Sequence, residues 1–136
     1  MSSHSNPIRA ALIAAALLPL GAGSATAYET AGHSSPCFFT SQWQGWSSPS
    51  PDVLYLRVNN HDIYRVGLSG GSSNLRAPGM HLVSIQRGSS SICTALDLNL
   101  KLSDGHGFLE PLIARSLTKL TPEEVAAIPP RFLPGH

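Results

Sequence analysis

Six histidines, eight carboxylates and two cysteines are the side chains of this sequence with the widest chemical reach, and their spacing decides which reactions are open to it. His4, His33 and His136 fall near the ends, while His61, His81 and His106 lie in the body. A helical zinc site needs two histidines one turn apart, and a structural zinc site needs cysteine and histidine pairs at short intervals. Neither spacing occurs. Asp104-Gly105-His106 and His61-Asp62 each place a carboxylate beside an imidazole, but both read as turns, where polar residues serve the backbone first. There is no Gly-x-Ser-x-Gly elbow to activate a serine, and Ser69-Gly70-Gly71-Ser72-Ser73 lacks the lysine and following helix of a phosphate loop. Asp97, Asp104 and Glu110 are spread over strand and loop, so spacing pairs no two of them as acid and base. The expectation is a protein that is not an enzyme, with no catalytic residue, no metal ligand and no cofactor.

Trp43 and Trp46 are the remaining candidates for recognition. Residues three apart emerge on opposite faces of a regular strand, so one tryptophan is expected in the core and the other exposed, as a possible binding surface for a sugar or a peptide.

Cys37 and Cys93 could form a disulfide, ligate a metal or supply a nucleophile, and the compartment decides among these. Residues 1–27 have a polar start ending in Arg9, an apolar run from Ala10 to Leu20, and a small-residue stretch closing on Ala25-Thr26-Ala27. That is the layout of a secretory signal peptide, and the apolar run is too short to span a bilayer, which takes about 20 residues. Cys37 follows Ser34-Ser35-Pro36, unlike the sequence that precedes a lipid-modified cysteine. The expected location is periplasmic or secreted, where thiols oxidise, so Cys37 and Cys93 are expected to be bridged.

The totals fit one small exported domain. The chain has 136 residues, 42% of them hydrophobic and only 12% charged. Lysine and arginine number 9 against 8 acids, and removal of Arg9 with the signal would level the two. The net balance leaves no basic field for nucleic acid or anionic lipid. No second run of membrane-spanning length follows, and a monomer is expected.

The elements that must position these residues are mostly strands. Residues 28–36 read as a flexible lead-in, and residues 37–128 as a single β-rich domain. Phe38 to Trp46 reads as a first strand, stopped at Ser47-Ser48-Pro49-Ser50-Pro51 because proline is excluded from a sheet interior. Val53 to Val58 alternates, with Leu54, Leu56 and Val58 on one face, and Ile63 to Leu68 returns after Asn59-Asn60-His61-Asp62 with Tyr64, Val66 and Leu68 on one face. Ser69 to Gly79 reads as a loop crossing between parts of the sheet. Met80 to Arg87 resumes strand character through Val83 and Ile85. Ser91 to Leu102 reads as one long strand with Leu96, Leu98, Leu100 and Leu102 on its apolar parity. Cys93 falls on the other parity, which requires a bulge near Thr94-Ala95 or a disulfide on the outer face. Phe108 to Leu117 returns after a loop at residues 103–107. Thr121, Pro122 and Glu124 carry the signature of a capped helix over residues 121–128, expected to plug an open end or edge of the barrel. Residues 129–136 read as a loose tail. The fold class is all-β, a small six-stranded antiparallel barrel or sandwich with one short C-terminal helix, and Leu56, Val58, Val66, Leu98 and Leu100 are its expected central core.

The order Cys37-Phe38, Gly45-Trp46, Leu56-Arg57-Val58, Asp62-Ile63-Tyr64, Ile92-Cys93 with Asp97, and Leu120-Thr121-Pro122-Glu123-Glu124-Val125-Ala126-Ala127 resembles a family of small exported bacterial proteins classified as a domain of unknown function. The resemblance covers roughly residues 37 to 131 and implies a compartment and an architecture, with no activity. Its pattern carries two further cysteines, at places that fall near Ser72 and Leu112 here. Their joint loss implies that those two bridge each other and that Cys37 is left to Cys93.

The expected function is that of an exported small non-enzymatic domain, macromolecule-binding or envelope-associated, with an unknown envelope or extracellular partner. The alternative is a small barrel holding an apolar ligand or a metal ion, which would need a closed cavity or the convergence of His61, His81 and His106.

Overall fold

The structure, a computed structural model, describes residues 36–135. The expected signal peptide and all of the lead-in except Pro36 lie outside the described residues. The strands are β1 (Phe38–Phe39), β2 (Trp43–Ser50), β3 (Val53–Val58), β4 (Asp62–Ser69), β5 (His81–Ser84), β6 (Ser91–Ile92), β7 (Asn99–Ser103) and β8 (Leu109–Lys119), followed by helix α1 (Pro122–Ala126). Six strands form one antiparallel, nearly closed barrel-like sheet in the order β2-β3-β4-β8-β7-β5, and β1 pairs with β6 in a separate two-stranded sheet. The protein is therefore all-β with one short C-terminal helix.

The β3–β4 hairpin sets the pattern. Asn59 and Asn60 take left-handed angles, φ 52° and 67°, which asparagine tolerates better than most residues and which a tight hairpin turn demands. The resulting register places Leu54 opposite Val66 and Leu56 opposite Tyr64. These four side chains, with Val58 and Leu68, point inward and are buried. From the far half of the sheet Leu100, Leu102, Leu112 and Ala114 meet them, and Phe38, Leu75, Ile92 and Leu98 complete the core. All five expected core residues lie in this cluster, each no more than 5% exposed. The loop after β4 does carry the chain across the sheet, to the far edge at β5. Ser72, where the resemblance implies a cysteine, donates from Oγ to Glu110 Oε2 at 2.9 Å, and Asn74 Nδ2 donates to the same oxygen at 3.0 Å. Hydrogen bonds thus tether this loop to β8, on the strand face that Glu110 shares with Leu112.

Several local readings change. β2 runs through Ser47-Ser48-Pro49-Ser50 instead of stopping at Ser47, because it is an edge strand whose register with β3 breaks between Ser47 and Ser50. Ser91 to Leu102 is not one strand: a 3-10 turn at Ala95–Asp97 separates β6 from β7 and leaves Leu96 93% exposed. That turn also removes the parity conflict at Cys93. On β5 the residues that signal the strand do not mark its inner face. Leu82 and Ser84 lie opposite the buried Leu102 and Leu100, and Val83 is exposed.

The C-terminal segment is a strap across the outside of the sheet. Thr121 Oγ1 accepts from the Glu124 amide at 3.3 Å and Glu124 Oε2 accepts from the Thr121 amide at 2.8 Å, the reciprocal cap the sequence signalled. The helix is shorter than the expected 121–128. Ile128 is buried, yet neither it nor Ile63 belongs to the central cluster. Ile63 pairs with Arg57 on the outer face of the hairpin, and it shares a hollow with Leu120, Pro122 and Val125. The helix therefore lies beside Ile63 on that outer face, and of the two residues expected to dock it, Val125 and Ile128, the second is buried. The expected loose tail at 129–136 is also corrected within the described residues. Pro130–Phe132 forms a 3-10 turn, the Phe132 carbonyl accepts from Ser47 Oγ, Pro134 is fully buried, and Gly135 lies against Arg57 and Gly45.

Cys37 and Cys93 are joined as a disulfide across 56 residues of sequence and tie β1 to β6. In the chain-entropy treatment a loop of that span contributes on the order of 3 to 4 kcal/mol. Thiol labelling of the protein, oxidised and then denatured without reductant, is expected to mark neither cysteine; labelling of both would remove the bridge. Leu98→Ala should cost about 2 to 5 kcal/mol in denaturant melts, and a loss below about 0.5 kcal/mol would mean that Leu98 is not part of the core.

Candidate functional site

The sheet nearly closes, and the place where it does not is a groove. Thr40, Trp43, Gln44, Gly45 and Trp46 line one side of it and Leu82, Val83 and Ser84 the other, around about 440 Å³. These are residues of β2 and β5, the two end strands of the sheet, with Thr40 just ahead of β2. No ladder and no other backbone hydrogen bond joins the two strands among the described residues. Each edge therefore keeps backbone donors and acceptors that its single neighbour does not use.

Both tryptophans face the same way. Trp43 lies opposite Val58 and Trp46 opposite Leu56, and both of those partners point inward. The register shift between Trp43 and Gly45 inserts one residue, which turns a spacing of three into a same-face spacing. Neither indole is fully exposed: both are half-buried and pack against the core while lining the groove. The expectation of one buried and one exposed tryptophan is corrected by that single irregularity. Trp43 Nε1 donates to the Gly45 carbonyl at 2.8 Å, which fixes its ring at the bulge. Gln44 is exposed, and its Oε1 accepts from the Asn60 amide at 2.6 Å, leaving the side-chain NH2 directed away from that bond. No charged residue lines the groove.

The other candidates serve the backbone. His61 Nε2 lies 3.6 Å from Asp62, whose second oxygen accepts from Lys119 at 2.9 Å, so this carboxylate anchors the start of β4 to the end of β8. Asp104 Oδ1 accepts from the His106 amide at 2.8 Å and the Phe108 amide at 3.0 Å, and these bonds, the first foremost, hold its pKa below the ordinary carboxylate value. It does not orient the imidazole. His61, His81 and His106 are not brought together: no group of three metal-ligating side chains forms among the described residues. Gly71, at φ +60°, lets the Ser72 amide reach the Pro51 carbonyl at 2.8 Å, so the glycine-rich loop is a tight backbone crossing. A Cβ on Gly71 would approach that carbonyl oxygen to 2.9 Å.

Sequence reasoning found the tryptophans and missed Leu82, Val83 and Ser84 as their neighbours. Nothing local to those three residues signals the groove, because they reach it through the order of strands. The Asn59-Asn60 turn and the loop at 69–79 were the available hints that the ends of the sheet lie far apart in its order.

No known protein family, curated protein or solved structure matches this chain. No helix among the described residues is long and apolar enough to cross a membrane. An all-β domain with an intramolecular disulfide is compatible with an oxidising compartment.

Asp97 is the carboxylate most engaged by the fold. It accepts from the amides of Cys93 and Thr94 at 2.9 and 2.8 Å and from Thr94 Oγ1 at 3.1 Å. The Cys93 and Thr94 amides are the main causes that hold its pKa below the ordinary value. A depressed carboxylate contributes stability above its unfolded pKa and loses it as pH falls through the folded one. Asp97→Asn should therefore destabilise the protein at neutral pH, with the gap to wild type closing as pH drops below about 3.9. Denaturant melts across that range check this, and a gap independent of pH would mean that the charge contributes nothing.

Proposed function

We propose that this chain is an exported, small, non-enzymatic domain of the family it resembles, acting in the periplasm or outside the cell as a monomer that binds another macromolecule. The observation that carries the reading is the pair Trp43 and Trp46 on one side of an open seam between two unpaired strand edges. Aromatic side chains supply large contact area at low entropic cost, and unpaired edges accept an extended chain by backbone hydrogen bonds. The favoured partner is therefore a protein that offers an uncharged, extended segment. The disulfide supports an oxidising location, and the structural duties of Asp97, Asp104 and Asp62 support a role without catalysis. The reading of the barrel as a holder of an apolar ligand has less support, since Leu54, Leu56, Val66, Leu100 and Leu102 fill the interior.

A photo-crosslinking residue placed at Gln44, which borders the groove, is expected to trap a protein in envelope extract. The same residue at Glu123, exposed on the C-terminal strap, should trap none. Equal labelling at both sites, or none at Gln44, would end the proposal for the seam.

A further inference from the structure

Which backbone atoms of the seam are free follows from the phase of the ladders on either side of it. In an antiparallel ladder a residue turns both its N–H and its C=O to one neighbour, and the next residue turns both to the other. The Ile85 amide donates to the Asn99 carbonyl at 2.9 Å, one step beyond the pair Ser84 and Leu100. Val83 is therefore in bonding phase with Lys101, and Leu82 and Ser84 are out of it. Pro111 gives the same phase from the other side. It stands opposite Lys101 on β8 and has no amide proton to donate, so the backbone of Lys101 is left to Val83. Leu82 and Ser84 thus aim their backbone donors and acceptors away from β7 and into the seam. On β2 the backbone of Trp46 faces the seam: the Leu120 amide donates to the Ile63 carbonyl at 2.8 Å, which turns Tyr64 and its partner Leu56 to each other and leaves Trp46 without a bond from Leu56.

The two edges are not equivalent. β2 has a bulge between Trp43 and Gly45 and a proline at Pro49, two features that keep a further strand from pairing. β5 keeps an unbroken register with β7 over its four residues and contains no proline. Pairing is open on β5 and guarded on β2. Leu82 and Ser84 lie opposite the buried Leu102 and Leu100, so residues paired to them would carry their side chains on that inner side, facing Trp43 and Trp46 across the groove. The residue between would point outward beside the exposed Val83. No charged residue lines the groove, so a charge on either inward side chain would lose water without gaining a partner.

We propose that β5 is the docking strand of the seam: an extended segment of the partner protein adds to it through the backbone of Leu82 and Ser84 and sets two apolar side chains, at alternate positions, against Trp43 and Trp46. The proposal rests on the reading of the seam as a protein-binding site and names the atoms that do the binding. An extended polypeptide is the ligand whose donors and acceptors recur at the spacing of alternate strand residues, about 6.6 Å.

The test uses linear heptapeptides displayed on phage and selected on the folded, disulfide-bonded protein, one selected peptide then being synthesised with single N-methyl groups. Selected sequences are expected to share two apolar residues at alternate positions. N-methylation of either should weaken binding about tenfold, the loss of a backbone hydrogen bond. N-methylation of the residue between, whose amide turns away from β5, should change it little. In amide exchange followed by nuclear magnetic resonance, Leu82 and Ser84 should exchange faster than Val83 and Ile85 in the free protein and be slowed when the peptide binds. A peptide that perturbs the Trp43 and Trp46 indoles, yet tolerates every N-methyl group and leaves the Leu82 and Ser84 amides exchanging, would overturn β5 as the docking strand while the seam stands as a site. Failure to select any peptide would overturn the proposal, and with no crosslink at Gln44 the reading of the seam would fall with it. A dimer in analytical ultracentrifugation whose formation protects those two amides would assign the edge to a second copy and overturn the proposal as well.

Discussion

The register of β3 against β4 is the constraint on which the rest depends. It is set by two asparagines in left-handed conformation, and it puts Leu54, Leu56 and Val58 on the same side as Tyr64, Val66 and Leu68. A slip of one residue would send this set to the exterior and bring Arg57 and Arg65 inward, which no interior of this size could accept. The outer face follows from the same register. Arg57 and Ile63 fall opposite each other there, and the C-terminal strap lies over them. β2 in turn reads its own register from β3, so the tryptophans inherit their direction from a turn that they do not touch.

Legibility in the sequence tracked the range of the forces. The hairpin was readable because alternation and the Asn-Asn turn are local and agree. The reciprocal cap between Thr121 and Glu124 was readable for the same reason. The short turn at Ala95–Asp97 was not, since four leucines at even spacing imitate a strand and the deciding contact, Asp97 with the Cys93 and Thr94 amides, is polar. Val83 signalled a strand without telling its face, because only its neighbour in space, β7, could say which side was inner. The site was half legible: tryptophan chemistry is visible in a sequence, but a bulge of one residue and the meeting of β2 with β5 are products of the whole sheet.

The small sheet has a separate logic. Two residue pairs are too few to hold β1 on β6, and the disulfide beside them supplies the lasting attachment. Tyr64 adds a second tie from the large sheet: its hydroxyl donates to the Pro36 carbonyl at 2.8 Å, while its ring meets Phe38 with centroids 4.8 Å apart. Burial raises the pKa of that hydroxyl, which keeps it a donor. The bridge thus sits at the outer end of a chain of contacts that begins in the central core.

The strand order carries a consequence for the nascent chain. β8 is the last strand made, yet it lies between β4 and β7 and joins the two halves of the sheet. Until it emerges, the β2-β3-β4 meander and the β5-β7 pair have no ladder in common, and the inner border of β4 is an open template. The strap that shelters Ile63 comes later still. A growing polypeptide of this design presents its apolar meander to its surroundings from the completion of β4 at Ser69 until β8 is made, and a holdase that shields such segments would act on it before the final residues arrive.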